Sequence, residues 1–155
     1  MRTRRGFEKN TELKIDEEAH LPEHSIEVQL PFLQKVLPEL HVVAILTGVI
    51  KSTQELAAAV GKELRENDLL IISSDLSHYH AYSDAQKIDS ATISQILSLD
   101  DNIDHEQACG SDGINMLLDI AKINDWKPKL LDYRNSGDTS GDKNQVVGYA
   151  AVEFL

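Results

Sequence analysis

The spacing of apolar residues along the chain predicts four helices. In the first, Ile26, Leu30, Leu33 and Leu37 fall on one helical face. Pro31 requires the first regular turn to lie nearby, because a proline inside a helix removes a backbone hydrogen bond. The other three are predicted from capping residues, over residues 53–66 behind Ser52-Thr53-Gln54-Glu55, from Asp84 to about Leu97, and from Ser111 or Asp112 to about Ile123.

Four short apolar runs predict strands. Residues 41–46 and 68–73 are almost continuously apolar, which is typical of strands that are covered on both faces. Residues 129–133 and 145–154 are close in sequence, and the Gly- and Asp-rich connection Asn135–Asn144 allows them to pair as an antiparallel hairpin. The alternation of helices and strands predicts a three-layer α/β fold with a mainly parallel central sheet.

Composition and charge narrow the classes of function. The 155 residues carry a formal net charge of -11, which argues against a nucleic-acid partner and against an anionic membrane surface. No apolar run approaches the roughly 20 residues of a membrane span. The single cysteine, Cys109, excludes an intrachain disulfide, fits a cytoplasmic protein, and is predicted to be buried and structural. We expect residues 1–18 to be a loop or disordered N-terminus and residues 19–155 to form the folded domain.

The strongest candidate for chemistry is the segment from Ser73 to His80. Asp75 and His78 directly follow the predicted strand 68–73, and ligands of α/β sheets bind beyond the carboxyl ends of strands. His78 suits general acid–base chemistry because the ordinary pKa of histidine lies near neutrality. Asp75 could orient the imidazole or bind a cation. The structural alternative is that Asp75 caps a turn and His78 packs beside it.

Two further segments are weaker candidates. His24 and Glu27 are three residues apart, so on a helix they would share a face, as a metal-binding pair does. A capped helix start with an ordinary polar face is the simpler interpretation. The connection Asn135–Asn144 repeats Ser-Gly-Asp, and its N–H groups and carboxylates could form the wall of a ligand site. Turn formation is the default interpretation there.

Several motifs, taken together and in order, resemble the Memo-like family. Glu23–Pro31 resembles the family's E-H-S-[LI]-E-x-x-L-P signature, and Ser73–Tyr79 is similar to its S-S-D-x-x-H-[WY] segment. Cys109-Gly110 resembles the start of the family's C-G helix. Tyr133–Asp142, followed by Val147–Ala151, is similar to its C-terminal segment. Bacterial and archaeal members of the family are often called protein B of the AmmeMemoRadiSam system.

The resemblance implies a fold shared with the catalytic subunits of class III extradiol dioxygenases. It implies a metal-dependent oxidoreductase pocket for non-haem iron or another divalent metal, with His24 and His78 as the candidate ligands. His78 is similar to the acid–base histidine of those enzymes, with Asp75 beside it, and the other implied pocket residues are His24, Glu27, Ser74, Asp138 and Thr139. The alternative is a non-catalytic binding or adaptor module for a peptide, small molecule or protein. Radical-SAM and AMMECR1-like proteins are the expected partners.

The sequence departs from the family pattern in two respects. The P-H-A-G and G-P-[NS]-H segments, whose histidines line the family pocket, have no counterpart here, so we expect an N-terminally truncated domain with an incomplete pocket. Some eukaryotic members have a pocket cysteine where this chain has Thr139, so that thiol ligand is missing. Truncation would leave an unpaired sheet edge and a bare apolar face, so we expect a homo-oligomer or a low-stability fold.

Overall fold

The computed structural model describes residues 16–48 and 50–155 of the chain. The helical elements are α1 (Glu17–His20), a 3-10 turn (Glu27–Gln29), α2 (Leu30–Val36), α3 (Thr53–Glu63), α4 (Tyr82–Leu97), α5 (Ser111–Asn124) and α6 (Ser136–Ser140). The strands are β1 (His78–His80), β2 (Pro128–Asn135) and β3 (Val146–Phe154). Helices packed around a small sheet give an α/β architecture. No helix in the described ranges is long and apolar enough to cross a membrane.

The predicted helices are confirmed, with some ends shifted. Pro31 lies in the first turn of α2, where a proline does not break the helical hydrogen bonds. Ser52 caps α3 as predicted, because its Oγ accepts the N–H of Glu55 at 3.2 Å. α4 begins at Tyr82, two residues before the predicted cap Asp84. Asp84 therefore lies inside the first turn, where it pairs with Lys87 at 2.9 Å.

The prediction that residues 1–18 form a loop or disordered N-terminus can be compared with the structure only for residues 16–18. Residues 1–15 lie outside the described residues. Within the remainder of the segment predicted as a loop, Glu17–His20 form the short helix α1. Its cap is Asp16, whose Oδ1 accepts the N–H of Ala19 at 3.1 Å. A single capped turn has no apolar periodicity, which is why the hydrophobic pattern did not predict it.

The sheet is three-stranded and antiparallel, with the order β1-β3-β2. β2 and β3 form the predicted hairpin, paired from Pro128↔Phe154 to Asn135↔Gly148. β1 adds a short irregular edge, in which His78 pairs with Val147. A strand of three residues is too short to show an alternating pattern, so the sequence did not predict β1.

The described residues contain only antiparallel ladders, so the prediction of a mainly parallel central sheet is not confirmed. Residues 41–46 and 68–73 were predicted as buried strands, but neither segment has regular secondary structure. A strand requires a neighbour that accepts its backbone hydrogen bonds. Among the described residues, no backbone hydrogen bond joins either segment to a neighbouring strand.

Two apolar clusters hold the helices and the sheet together. The first contains Leu76, Ile93 and Leu118, and packs α4 and α5 against the inner face of the hairpin. The second contains Val60 and Ile120 and packs α3 against α5. Burial of each such side chain contributes roughly 1.5–3 kcal/mol. α5 contributes to both clusters, and Leu76 anchors the chain two residues before His78.

Candidate functional site

The structure brings Asp75 and His78 together. Asp75 Oδ2 lies 3.4 Å from His78 Nε2, and the two side chains are 46% and 31% exposed, respectively. Leu76 and Ser77, which lie between them, are buried. The chain therefore presents a carboxylate and an imidazole side by side at the surface, above a buried anchor.

The backbone around this pair is fixed by β3. Leu76 N donates to Gly148 O at 2.9 Å, and Gly148 N donates to Ser77 O at 2.9 Å. Immediately after His78, Tyr79 adopts the left-handed conformation with φ of 61°. For a residue with a bulky side chain this conformation is strained by roughly 1–2 kcal/mol, and such residues cluster at functional sites. The strain accompanies a register shift in β1 directly after His78.

Cys109 lies beside the pair and is exposed, so the prediction that it is buried is wrong. Its Sγ accepts the N–H of Asp75 at 3.3 Å, and its own N–H donates to Asp75 O at 3.3 Å. Ser74 joins the same contact, because its Oγ accepts the N–H of Gly110 at 2.8 Å. Free cysteine is among the residue types that are most often buried. Cys109 instead lies in the loop before α5, next to the end of an apolar segment.

Gly110 is required by this close approach. A Cβ at that position would lie 2.8 Å from Ser74 Cβ, which is closer than real Cβ contacts. The Cys-Gly pair and the Ser-Ser-Asp segment, which are separate in sequence, therefore form one structural unit around Asp75.

An open groove lies along the β2–β3 hairpin. Its volume is about 320 Å³, and it is lined by residues of β2, α6 and β3: Asp132, Arg134, Asn135, Thr139, Tyr149, Ala150 and Ala151. Tyr149, one of the lining residues, directly follows Gly148, whose C=O accepts the N–H of Leu76 next to Asp75. Burial and the charge of Asp75 raise the pKa of the Tyr149 phenol. Thr139, a predicted pocket residue, lines the groove, and its Oγ1 donates to Ser136 O at 3.0 Å.

Tyr149 and Arg134 were not predicted to be site residues. The sequence did contain an indication of their role, because both residues lie within segments that resemble the family's C-terminal motif. The hairpin register pairs Arg134 with Tyr149 directly across the two strands. The pairing could not be read from the motif without that register.

Asp138, another predicted pocket residue, is engaged in structural contacts. It completes a capping box at the start of α6, with its Oδ2 accepting the N–H of Asn135 at 2.9 Å. Its Oδ1 accepts the Tyr82 hydroxyl at 2.6 Å. These two hydrogen bonds hold the pKa of the Asp138 carboxyl below its usual range. The connection expected to be a loop thus contains a helix, because an Asn cap and an Asp three residues later satisfy its first turn.

His24 and Glu27 do not share a helical face as the spacing allowed. His24 precedes the 3-10 turn that begins at Glu27. The His24 side chain is 82% exposed, and its described contact is with Glu23 at 3.9 Å. Hydrogen bonds from the N–H groups of Ser25 and His24 lower the pKa of Glu23.

Gln29, which sequence analysis did not single out, connects the two family motifs. Its Nε2 donates to Ser73 Oγ at 3.1 Å. This contact brings the segment of His24 and Glu27 towards the Ser-Ser-Asp segment. No hydrogen bond or ion pair described within residues 16–48 and 50–155 joins His24 or Glu27 to Asp75 or His78.

The described residues do not provide a complete metal site. They contain no group of three or more His, Cys, Asp and Glu side chains that could hold a metal ion. An iron site of the facial type requires three protein ligands. Asp75 and His78 supply two donor groups, so this part of the chain does not by itself fit non-haem iron.

The comparisons with known proteins agree on one family. A family model described as "Memo-like protein" matches residues 5–153. The "MEMO1 family protein" of Desulfurococcus amylolyticus is 39% identical over 163 residues, covering 94% of this chain and 56% of that protein. The "MEMO1 family protein" of Aquifex aeolicus is 38% identical over 152 residues, covering 90% of this chain and 57% of that protein. The chain thus spans little more than half the length of these curated relatives. It belongs to the Memo-like family.

Proposed function

We propose that Asp75 and His78 bind a small polar molecule at the mouth of the groove and exchange a proton with it. The observation that carries the proposal is the 3.4 Å contact between Asp75 Oδ2 and His78 Nε2 at a partly exposed position. A carboxylate beside an imidazole fixes the ring and stabilises the imidazolium that forms when the ring takes up a proton.

The two residues have different roles in this proposal. With its proton on Nε2, facing Asp75, the His78 ring has a free lone pair on Nδ1 that can accept a proton from a ligand. Asp75 holds the ring orientation. Tyr149 lines the groove and provides an apolar ring face together with a hydroxyl that can hydrogen-bond the ligand.

For the complete family domain, we also propose the finer features that the resemblance implies. These are an extradiol-dioxygenase-like three-layer arrangement, a metal-dependent oxidoreductase activity, a cytoplasmic location, and radical-SAM and AMMECR1-like partners. The metal-dependent activity requires at least one ligand beyond Asp75 and His78. Ligand candidates that sequence analysis proposed, such as His24, would have to move relative to their described positions.

A non-catalytic binding module is the second candidate. The observation that favours it is the open shape of the groove, whose strand-side wall carries Arg134 and Tyr149. An arginine and a tyrosine next to each other suit a peptide segment that has one acidic and one apolar side chain. In this case Asp75 and His78 would contribute hydrogen bonds and no proton transfer.

The proposal is tested by nuclear magnetic resonance with a defined set of probes: catechol, 4-hydroxybenzoate, N-acetylglycinamide and inorganic phosphate. We expect at least one probe to shift the ring signals of both His78 and Tyr149. Binding should weaken at least tenfold in Asp75→Ala and His78→Gln. It should persist in the control His80→Gln, which changes an exposed histidine of the same strand. Equal binding in His78→Gln and wild type would contradict the proposal.

Metal content separates this function from a metal-dependent one. After anaerobic incubation with Fe(II), Cu(II) or Zn(II), the wild-type chain should retain much less than one metal per chain by elemental analysis. Stoichiometric metal that is lost in His78→Ala and His24→Ala would instead support a metal site formed by this chain.

A further inference from the structure

Asp89, on the inner face of α4, has a carboxylate that is completely buried. Its Oδ1 accepts the N–H of Ser77 at 3.0 Å, and its Oδ2 accepts the hydroxyl of Tyr133 at 2.7 Å. In the described part of the chain no Lys, Arg or His pairs with it. A buried carboxylate is unfavourable unless hydrogen bonds compensate it, so these two donors hold Asp89 in place.

Gly148 allows the carboxylate to approach β3. A Cβ at Gly148 would lie 2.1 Å from Asp89 Oδ2 and 2.6 Å from Asp89 Cγ, so any side chain there would displace Asp89. Gly148 is also the residue that exchanges backbone hydrogen bonds with Leu76 and Ser77. Asp89 and Gly148 therefore hold the backbone of Ser77 from two sides, one from α4 and the other from β3.

The held residue lies between the two members of the candidate site. Ser77 is adjacent to His78 and two residues from Asp75, and its backbone N–H and C=O are both engaged. Because the chain is fixed at Ser77, the separation of Asp75 and His78 depends on that contact. Tyr79, with its left-handed backbone, then turns the chain away immediately after His78.

We infer that Asp89 is the positioning residue of the site, acting through the backbone of Ser77 to set the Asp75–His78 contact, with Tyr133 as its support. This inference rests on the proposed function, since it assigns Asp89 to that same site. Burial and the hydrogen bond to Asp89 raise the pKa of Tyr133, so its phenol remains a proton donor at neutral pH. Asp89 touches neither the groove nor the imidazole in any described contact.

The ring nitrogens of His78 give a readout that does not need a ligand. In a nitrogen-15 spectrum of histidine-labelled protein, we expect wild-type His78 to carry its proton predominantly on Nε2, facing Asp75. Asp75→Ala defines the spectrum of the broken pair. Asp89→Ala should move the His78 signals at least halfway towards that reference. Asp89→Asn, which keeps an oxygen acceptor for the N–H of Ser77, should restore them.

Two further variants keep the test decisive. Val60→Ala removes buried apolar atoms from the other cluster and controls for general loss of stability, so its His78 signals should match wild type. Tyr133→Phe removes only one of the two donors to Asp89 and should shift the signals partway. A wild-type His78 spectrum in folded Asp89→Ala would overturn the inference. If Asp89→Ala does not fold, a wild-type spectrum in Tyr133→Phe would overturn it.

The outcomes also separate this inference from the proposed function. If no probe binds the wild-type chain but the His78 spectrum follows Asp89, the proposed function fails and the positioning role stands. If a probe binds at His78 and the His78 spectrum does not change in Asp89→Ala, the proposed function stands and the positioning role fails.

Discussion

The β2–β3 hairpin and the two apolar segments 41–46 and 68–73 are rich in similar residues, but only the hairpin forms strands. The hairpin is paired from Pro128↔Phe154 to Asn135↔Gly148. In segment 68–73, Leu69 and Ile71 are 68% and 41% exposed, while Leu70 and Ile72 pack against the core. This alternation is that of a strand, without the ladder. Apolar spacing thus determines which side chains are buried, and a neighbouring backbone determines whether a strand forms.

The largest expected effect is at the point where the hairpin meets α4. Gly148→Ala places a Cβ at 2.1 Å from Asp89 Oδ2, and two hydrogen bonds hold Asp89 in place. Overpacking of this kind should lower the free energy of unfolding by about 3 kcal/mol. Urea unfolding followed by circular dichroism measures it.

Gly48→Ala is the matched control for this substitution. A Cβ at Gly48, just beyond segment 41–46, would have no heavy atom of the described residues within 4 Å. The free energy of unfolding should therefore change by no more than about 0.5 kcal/mol. Equal losses in both variants would mean that the two regions do not differ in how tightly they are packed.

The next effect tests the alternation in segment 68–73. Ile72 contacts both apolar clusters, and Ile72→Ala should cost about 2 kcal/mol of unfolding free energy. Ile71→Ala, one residue away on the exposed side, should change stability by less than about 0.5 kcal/mol. Urea unfolding of the two variants, measured side by side, checks the difference.

Ile71 also bears on self-association, which sequence analysis expected. If exposed apolar residues bring copies of the chain together, Ile71→Ala should lower the mean mass measured by light scattering, whereas Ile72→Ala should not. A wild-type chain that is monomeric at all concentrations would contradict that expectation.

For the stability prediction, a similar loss of unfolding free energy in Ile72→Ala and Ile71→Ala would show that segment 68–73 does not lie with one face on the core.

Local signals predicted the helices and the hairpin well. Ser52 caps α3 through the expected bond, and residues 128–135 and 146–154 pair as their spacing suggested. The strand prediction for residues 41–46 and 68–73 did not hold, because a continuous apolar run reports burial and carries no information on what lies beside it. α6 was missed because the hydrogen bonds of its cap depend on Asp138, which had been predicted to be a pocket residue.

The candidate site was predicted in part. The position of Asp75 and His78 after an apolar segment indicated their proximity, and the structure brings them to 3.4 Å. The sequence did not indicate that Asp89 is buried, because an aspartate on an amphipathic helix ordinarily faces solvent. Its burial follows from Gly148, which is distant in the chain and leaves the space that the carboxylate occupies.

The smallest expected effect concerns the support of Asp89 by Tyr133. Tyr133→Phe leaves Asp89 Oδ2 without its donor and should cost about 1 kcal/mol of unfolding free energy at pH 7. A pH dependence should accompany it. The folded chain keeps the Tyr133 proton to higher pH than the unfolded chain, because burial and Asp89 raise its pKa. Wild-type stability is therefore complete below the unfolded tyrosine pKa of about 10 and falls as the pH rises above it.

Tyr133→Phe removes this contribution, so its stability should fall less steeply than that of the wild type between pH 10 and 10.5. The slope should be reduced and not abolished, since the pKa values of Tyr82 and Tyr149 are also raised. Urea unfolding at pH 7, 9, 10 and 10.5 measures both quantities. Val60→Ala should be less stable at every pH and keep the wild-type slope. Parallel curves for Tyr133→Phe and wild type would show that the phenol ionises alike in the folded and unfolded chains, and that Asp89 does not hold its proton.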